Sequence, residues 1–384
     1  MVRFTLAHPR RWLLALYLAS ALLVTIQQVA WNRHNNFDVF RAASANLVAG
    51  RDLYAAHPDQ HFDYYKYSPS FAALFLPFAE LPLAAALFAW NALNALLLCF
   101  AIARLLPERQ ANLALALVYV EALLAMQYAQ SNSLVAALMI LAFVALEEGK
   151  QLGAALATAL GACIKLFPLA ALALAAFHPR KLRYGVTFAA VLGALAALPL
   201  VLVPPHQLAL QYRSWRAIEA LDTLNRGYSV MQYLYQWLGA AWPNWPVQLA
   251  GTAIFLLPLV RGPGCRGDPA FRRLFLCSLL VYMLLFNHQS ERATFVIAYA
   301  GVCIWYVSSP PSRLRTTLLV VTLLVMVLHD VDVVPRWVKS DVLIPYRVKG
   351  IPYLVVWVVM QAELWGFRGW RTWRAAGPPG TIAT

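Results

Sequence analysis

Charge is scarce in this chain. Asp, Glu, Lys and Arg make up only 12% of its 384 residues, about half the roughly 25% usual in soluble domains. An ordinary water-soluble globule is excluded. Cysteine is scarce too: Cys99, Cys163, Cys265, Cys277 and Cys303 are odd in number, scattered and mostly set in apolar runs. That pattern fits neither a disulfide framework nor a metal centre, and the five read as small core residues. The chain shows no internal repeat and no stretch polar enough for a soluble domain, so residues 1–384 read as one integral membrane domain. Acids are the scarcest charge, 17 against 31 Lys and Arg.

What is abundant is apolar surface. Hydrophobic residues are 61% of the chain and the mean hydropathy is +0.60. Apolar runs of about 15 to 25 residues recur from end to end, the mark of a polytopic all-α membrane protein. They are too long and too unalternating for barrel strands. The net charge of +14 suggests nucleic acid until its distribution is read. Residues 1–11, 104–110, 147–151, 178–184, 261–273, 308–315 and 367–384 together hold 18 of the 31 Lys and Arg. The only acids among them are Glu108, Glu147, Glu148 and Asp268. This positive-inside asymmetry puts both termini in the cytoplasm and assigns the charge to topology, with no nucleic-acid partner.

Taken in order, the first crossing is Trp12–Ala30, uncleaved because its apolar run continues past Ala19-Ser20-Ala21. Pro69–Pro82, with prolines at both ends and at Pro77, is too short to cross and reads as re-entrant or interfacial. Crossings follow near 83–104, 111–127 and 133–147. Residues 151–177 start and end in cytoplasmic charge, so they read as two short helices broken at Lys165-Leu166-Phe167-Pro168. Further spans are expected near 185–203, 246–260, 274–287, 292–308, 316–329 and 351–367, with an outer loop at 204–245. The total is about twelve crossings, with 370–384 as a cytoplasmic tail.

The longest polar interval is 31–69, which holds Asp38, Asp52, Asp59 and Asp63. Within it Asp38–Gly50 has a helical signature. Asp38 is placed to cap, Val39, Phe40, Ala43, Leu47 and Val48 supply an apolar face, and Gly50 is placed to end it. At about 12 residues this helix lies in the interface rather than crossing it. Under this topology the chemically capable side chains gather on the outer face. They are Asp38, the Asp59–Pro69 aromatic stretch, Gln127, Gln130, Asn132, Lys165, Arg213–Ser229, His288–Arg292 and His329–Lys339. Polar groups at membrane depth are costly, so such a gathering points to function.

Several motifs here resemble a known family. They are Asp38 opening the outer-loop helix, Gly50-Arg51-Asp52-Leu53-Tyr54, and Tyr65-Lys66-Tyr67-Ser68-Pro69 ahead of Pro77–Pro82. Gln130 and Asn132 after the third crossing, and Lys165 with Pro168 inside a span, complete the set. The chain resembles glycosyltransferase family 87 of the GT-C superfamily, which includes polyprenol-phosphate-mannose-dependent mannosyltransferases. The likeness is fullest over the first 180 or so residues. Later, Phe286-Asn287-His288-Gln289-Ser290-Glu291-Arg292 stands where the family has an aromatic and histidine motif.

The resemblance implies a GT-C-type fold and a polyprenyl-phosphate-linked sugar donor. It also implies a glycolipid or cell-envelope glycan acceptor, and inverting transfer with Asp38 as general base. The leaving phosphate would be met by Lys165, Arg292 and Arg213. Sugar and acceptor would be met by Tyr65, Tyr67, Gln130, Asn132, His288, Gln289 and Glu291. No cofactor and no divalent metal are expected. Asp330-Val331-Asp332 has the spacing of a metal-binding acid pair but falls in a late loop.

Each of these residues has a plainer reading beside the functional one. Asp38 caps a helix, Lys165 snorkels to an interface, and His288 is a hydrogen-bonded structural histidine. Arg292 anchors the next span, the tyrosines form an interfacial belt, and Gln130 and Asn132 cap a turn. Two other classes remain open. A transporter or flippase of lipid-linked saccharides would need polar residues at several depths and related halves. A non-catalytic assembly subunit would be marked by loss of the outer-loop carboxylate.

Overall fold

The computed structural model describes residues 9–261, 263–331 and 333–366; the expected tail at 370–384 lies outside them. The described residues are helical, with no strand among them. Four helices are long and apolar enough to cross a membrane: Pro9–Ala30, Leu83–Leu105, Glu108–Gln127 and the run Lys181–Val201. The other apolar helices are shorter. By internal contacts the chain divides into two compact units, residues 1–225 with 291–297, and residues 226–290 with 298–384.

The first unit contains α1 (Pro9–Ala30), α2 (Asn35–Val48), α3 (Pro69–Ala79), α4 (Leu83–Leu105) and α5 (Glu108–Gln127). It continues with α6 (Asn132–Glu147), α7 (Gln151–Ile164), a 3-10 segment (Phe167–Phe177), α8 (Lys181–Ala197) and α9 (Pro205–Asp222). α4 packs on α1 and α6, α6 on α7, α7 on α8, and α1 on α5. Alanine and glycine dominate α7 (QLGAALATALGACI). Such small side chains let helices approach closely where lipid removes the usual hydrophobic drive. Polar side chains then join the helices. Gln28 donates to the carbonyls of Met126 and Gln127, Asn91 donates to Thr25 and Gln28, and Tyr17 donates to the Leu115 carbonyl. The surface of α8 is largely open and apolar, its buried side chains being those of Tyr184 and Phe188.

The segment 151–177 breaks at the expected place. α7 ends at Ile164, Lys165 is extended at φ −142° and ψ 142°, and the 3-10 segment starts at Phe167. Pro168 removes a donor and bars the residue before it from continuing an α-helix easily. The expected loop 204–245 instead carries two helices, α9 and α10 (Val230–Leu238). Neither has a run long enough to signal itself by hydropathy, and α9 has polar residues on several faces.

The second unit holds α10, α11 (Asn244–Leu256), the short α12 (Pro263–Arg266), α13 (Pro269–Leu285), α15 (Arg313–Asp330), α16 (Ile351–Leu364) and most of α14 (Phe295–Val307). A Cβ at Gly301 would meet the Cys277 carbonyl at 2.8 Å, so glycine is what allows α14 to lie against α13. The unit is pinned by a buried ion pair. Arg315 Nε and Nη2 both donate to Glu363 Oε1, at 3.0 and 2.8 Å, and Trp305 Nε1 donates to Oε2 at 2.8 Å. Removing one member strands the other charge. Arg315→Met is expected to lower stability by about 3–5 kcal/mol, and adding Glu363→Leu to restore most of it. Thermal unfolding of the two variants in one detergent checks both outcomes.

Candidate functional site

Asp38 does not cap α2. The helix begins at Asn35 with His34 in the N-cap position, so Asp38 lies inside the first turn. There an acid is favoured by the helix dipole. The i, i+4 spacing brings His34 onto it, with Nδ1 2.7 Å from Asp38 Oδ2. The carboxylate is partly buried, and its pKa is raised from the ordinary value. Burial is the cause, opposed by the nearby His34, Arg41 and His61. The helix ends as its sequence suggests. Gly50 sits at φ +73°, its N–H bonds the Leu47 carbonyl, and the N–H of Arg51 bonds the Asn46 carbonyl, a Schellman stop that glycine accommodates.

α9 braces the loop that follows. Gln211 accepts from the Leu53 N–H and donates to the Arg51 carbonyl, at 3.1 and 2.9 Å. Ser214 donates to Asp52 Oδ2, Trp215 to the Lys66 carbonyl, and Lys66 to Asp222 at 2.7 Å. Asp52 also accepts from the Tyr54 N–H, so the Gly-x-Asp-x-Tyr motif builds a turn. Arg213, on the same helix, is exposed.

A ladder of rings leads from this loop into the helices. Tyr54, Tyr65 and Tyr67 follow one another at centroid spacings of 5.6 Å, and Tyr67 packs edge-on against Phe40 of α2 at 4.9 Å. Tyr65 is fully buried and donates to the Ser68 carbonyl. Ser68 caps α3 by accepting the Phe71 N–H and ties it to α7 by donating to the Cys163 carbonyl. Burial pushes the phenols of Tyr65 and Tyr67 up, so both stay neutral donors.

Tyr67 donates to Gln130 Oε1 at 3.0 Å. Two residues on, Asn132 Oδ1 accepts from Lys165 Nζ at 3.0 Å, and the same ammonium lies 3.4 Å from Glu291 Oε1 and 5.8 Å from the Tyr67 ring centre. Glu291 is fixed in turn by a reciprocal cap with Thr294. The Lys165 side chain is 13% exposed and that of Glu291 47%, so the lysine is the held member of the pair. Tyr67, Gln130, Asn132, Lys165 and Glu291 thus meet within the first unit. Arg292 opens the 3-10 turn Arg292–Thr294, which packs on α5.

His288 and Gln289 belong to the second unit. Nδ1 of His288 lies 3.1 Å from Gln248 Nε2, and the Gln289 N–H donates to Asn287 Oδ1. Asp330, half of the late acid pair, is taken up by His329 at 2.9 Å and Lys349 at 2.5 Å, all three buried; Asp332 lies outside the described residues. Sequence reasoning missed His34. The signal that could have found it is its spacing of four from Asp38 on a helix.

An all-helical membrane protein, with a carboxylate–imidazole pair on a short helix and an ammonium amid amides and phenols, has the parts of a group-transfer site. Residues 65–287 match the family model of glycosyltransferase family 87, more than half of the chain. The chain belongs to that family and is a membrane glycosyltransferase. The matched region holds Tyr65, Tyr67, Gln130, Asn132, Lys165 and Arg213; Asp38 precedes it, and His288 to Arg292 follow it. No curated protein matches the chain.

Proposed function

We propose that this protein moves a hexose, mannose first among the options, from a polyprenyl-phosphate donor to a glycolipid or cell-envelope glycan. Transfer proceeds with inversion at the outer face of the cytoplasmic membrane, both termini lying inside. The observation that carries this reading is the convergence of Lys165, Asn132, Gln130, Tyr67 and Glu291 in the first unit. An ammonium held by the Asn132 amide oxygen, beside a carboxylate largely in water, suits a phosphate that gains charge as it leaves. Arg292 and Arg213 are the further cations proposed for that phosphate, and His288 and Gln289 are proposed sugar contacts.

In the reaction Asp38 accepts the proton of the acceptor hydroxyl, whose oxygen attacks the anomeric carbon from the face opposite the phosphate. The bond from that carbon to the phosphate oxygen breaks, and polyprenyl phosphate departs with the electron pair. The phosphate ester is already activated, so a divalent metal is not needed. The test is transfer from radiolabelled short-chain polyprenyl-phosphate mannose, glucose or arabinose by purified protein in nanodiscs, with and without chelator. Wild type that transfers none of these sugars overturns the proposal.

The pH profile follows from the carboxylate. A base must be ionised, so activity falls as pH drops through the Asp38 pKa. Burial raises that pKa, which puts the acid limb of kcat/KM above the roughly 3.9 of a free aspartate. His34 holds the pKa down by charge and hydrogen bond. His34→Ala is therefore expected to move the acid limb to higher pH still. A limb that stays in place would separate Asp38 from the rate.

A further inference from the structure

At the outer ends of α1 and α5 the first unit holds an open cleft of about 430 Å³, separate from the Lys165 cluster. Gln27, Gln28 and Trp31 line it from α1 and the turn beyond, Arg33, Asn35 and Asn36 from the start of α2, and Asp63, Gln127 and Tyr128 from the remaining sides. Its size falls within the roughly 300–1,000 Å³ of small-ligand sites. Its lining is rich in planar amides. Gln28 is used within the fold, and Asn36 donates to the Tyr128 carbonyl. The side-chain amides of Gln27 and Gln127 have no hydrogen-bond partner among the described residues, and Asp63 keeps one oxygen beyond its bond from Asn35. Trp31 is 61% exposed, with the Arg33 guanidinium over its ring 5.6 Å from the centre. Side-chain amides that donate and accept, and a carboxylate that accepts, beside an exposed indole, are what a sugar ring with adjacent hydroxyls requires.

We infer that this cleft binds the saccharide head of a glycolipid acceptor. The inference rests on the transferase reading above for the reaction it serves. Two placements favour it. Asn35 on the cleft wall and Asp38 are three residues apart on α2, hence neighbours on one helix face about 5–6 Å apart at Cβ. A hydroxyl of a sugar seated against Asn35 is thereby offered to the Asp38 carboxylate. On the other side, Leu16, Leu23 and Gln27 follow one another along a single exposed face of α1 that continues to Trp31. The apolar part of that face runs directly up to the cleft, so a ligand with a hydroxylated head and alkyl tail fits its boundary. A free glycan would leave the apolar part unused.

The test uses full-length Asp38→Asn protein in nanodiscs, so that binding is read without turnover. The probe is a dialkylglycerol mannoside carrying a diazirine on the sugar. After irradiation, labels are expected on the peptides holding Trp31–Asn36 and Gln127–Tyr128, competed by unlabelled mannoside but not by sugar-free dialkylglycerol. In the otherwise wild-type protein, Gln27→Ala with Gln127→Ala is expected to raise acceptor KM about tenfold with donor KM unchanged, as two lost hydrogen bonds imply. Labels confined to other segments, or equal competition by the sugar-free lipid, overturn the cleft. Cleft labelling by a wild type that uses no donor would instead sink the transferase reading and leave the saccharide site standing.

Discussion

Asp38→Asn is expected to lower sugar transfer by about 10²–10⁴-fold, the usual contribution of a general base. The substitution removes the proton acceptor and little else. Asparagine has nearly the same shape, keeps an oxygen 2.7 Å from His34 Nδ1, and differs little from aspartate in helix propensity. The loss of a charge in the first turn of α2 costs about 0.3–1 kcal/mol of dipole interaction, part of it returned because a half-buried carboxylate no longer has to be ionised. The variant should therefore unfold at nearly the wild-type temperature, and donor affinity should be unchanged. Transfer within a few-fold of wild type, in protein shown to be folded, would return Asp38 to a structural part alongside His34. Wild type and variant equally inactive, with lipid-linked saccharide crossing the bilayer, would favour the flippase.

The resemblance drawn from residues 38–168 was legible because its marks are local. Gly50 ends α2, the stretch from Lys165 to Pro168 ends α7 and opens the 3-10 segment, and Tyr65, Tyr67 and Pro69 lead into α3. Each feature depends on neighbours a few positions away. The pairing of His34 with Asp38 was just as local, yet a carboxylate before a helical run reads first as a cap, and the cap reading hid the extra turn upstream. The bracing of the loop by α9 was not legible. Gln211, Ser214, Trp215 and Asp222 act on residues some 150 positions earlier, and no period in the sequence encodes such a distance. The count of crossings resists reading for a different reason. Short helices such as α7 and α11 are apolar enough for lipid but fall below the about 20 residues that a straight crossing requires, so length and hydropathy disagree.

Lys165→Met is expected to reduce kcat by about 10²–10³-fold, in line with removal of one donor aimed at developing charge. The donor is a phosphodiester with a single negative charge, and the departing monoester takes on a second as the bond to the anomeric carbon breaks. An ammonium beside it therefore stabilises the transition state more than the bound donor, so kcat should fall further than donor affinity. The fold supplies the reason to attribute such a loss to substrate. Lys165 lies in an extended link between α7 and the 3-10 segment, where it contributes no helical turn. Its carboxylate neighbour is 47% exposed at 3.4 Å, and an ion pair with one member in water contributes about 0–1 kcal/mol. Methionine keeps an unbranched apolar stem and puts a polarisable thioether toward the Tyr67 and Phe167 rings near which the ammonium lay, so the unfolding temperature should move little. Arginine is not a neutral replacement, because its planar fork cannot take the point contact that one ammonium makes with Asn132 Oδ1. Lys165→Arg should recover only part of the rate. The decisive measurement is single-turnover transfer with saturating donor for the three proteins. A fall in donor affinity alone, with the chemical step intact, would make Lys165 a binding contact and move the stabilisation of the leaving phosphate to another cation.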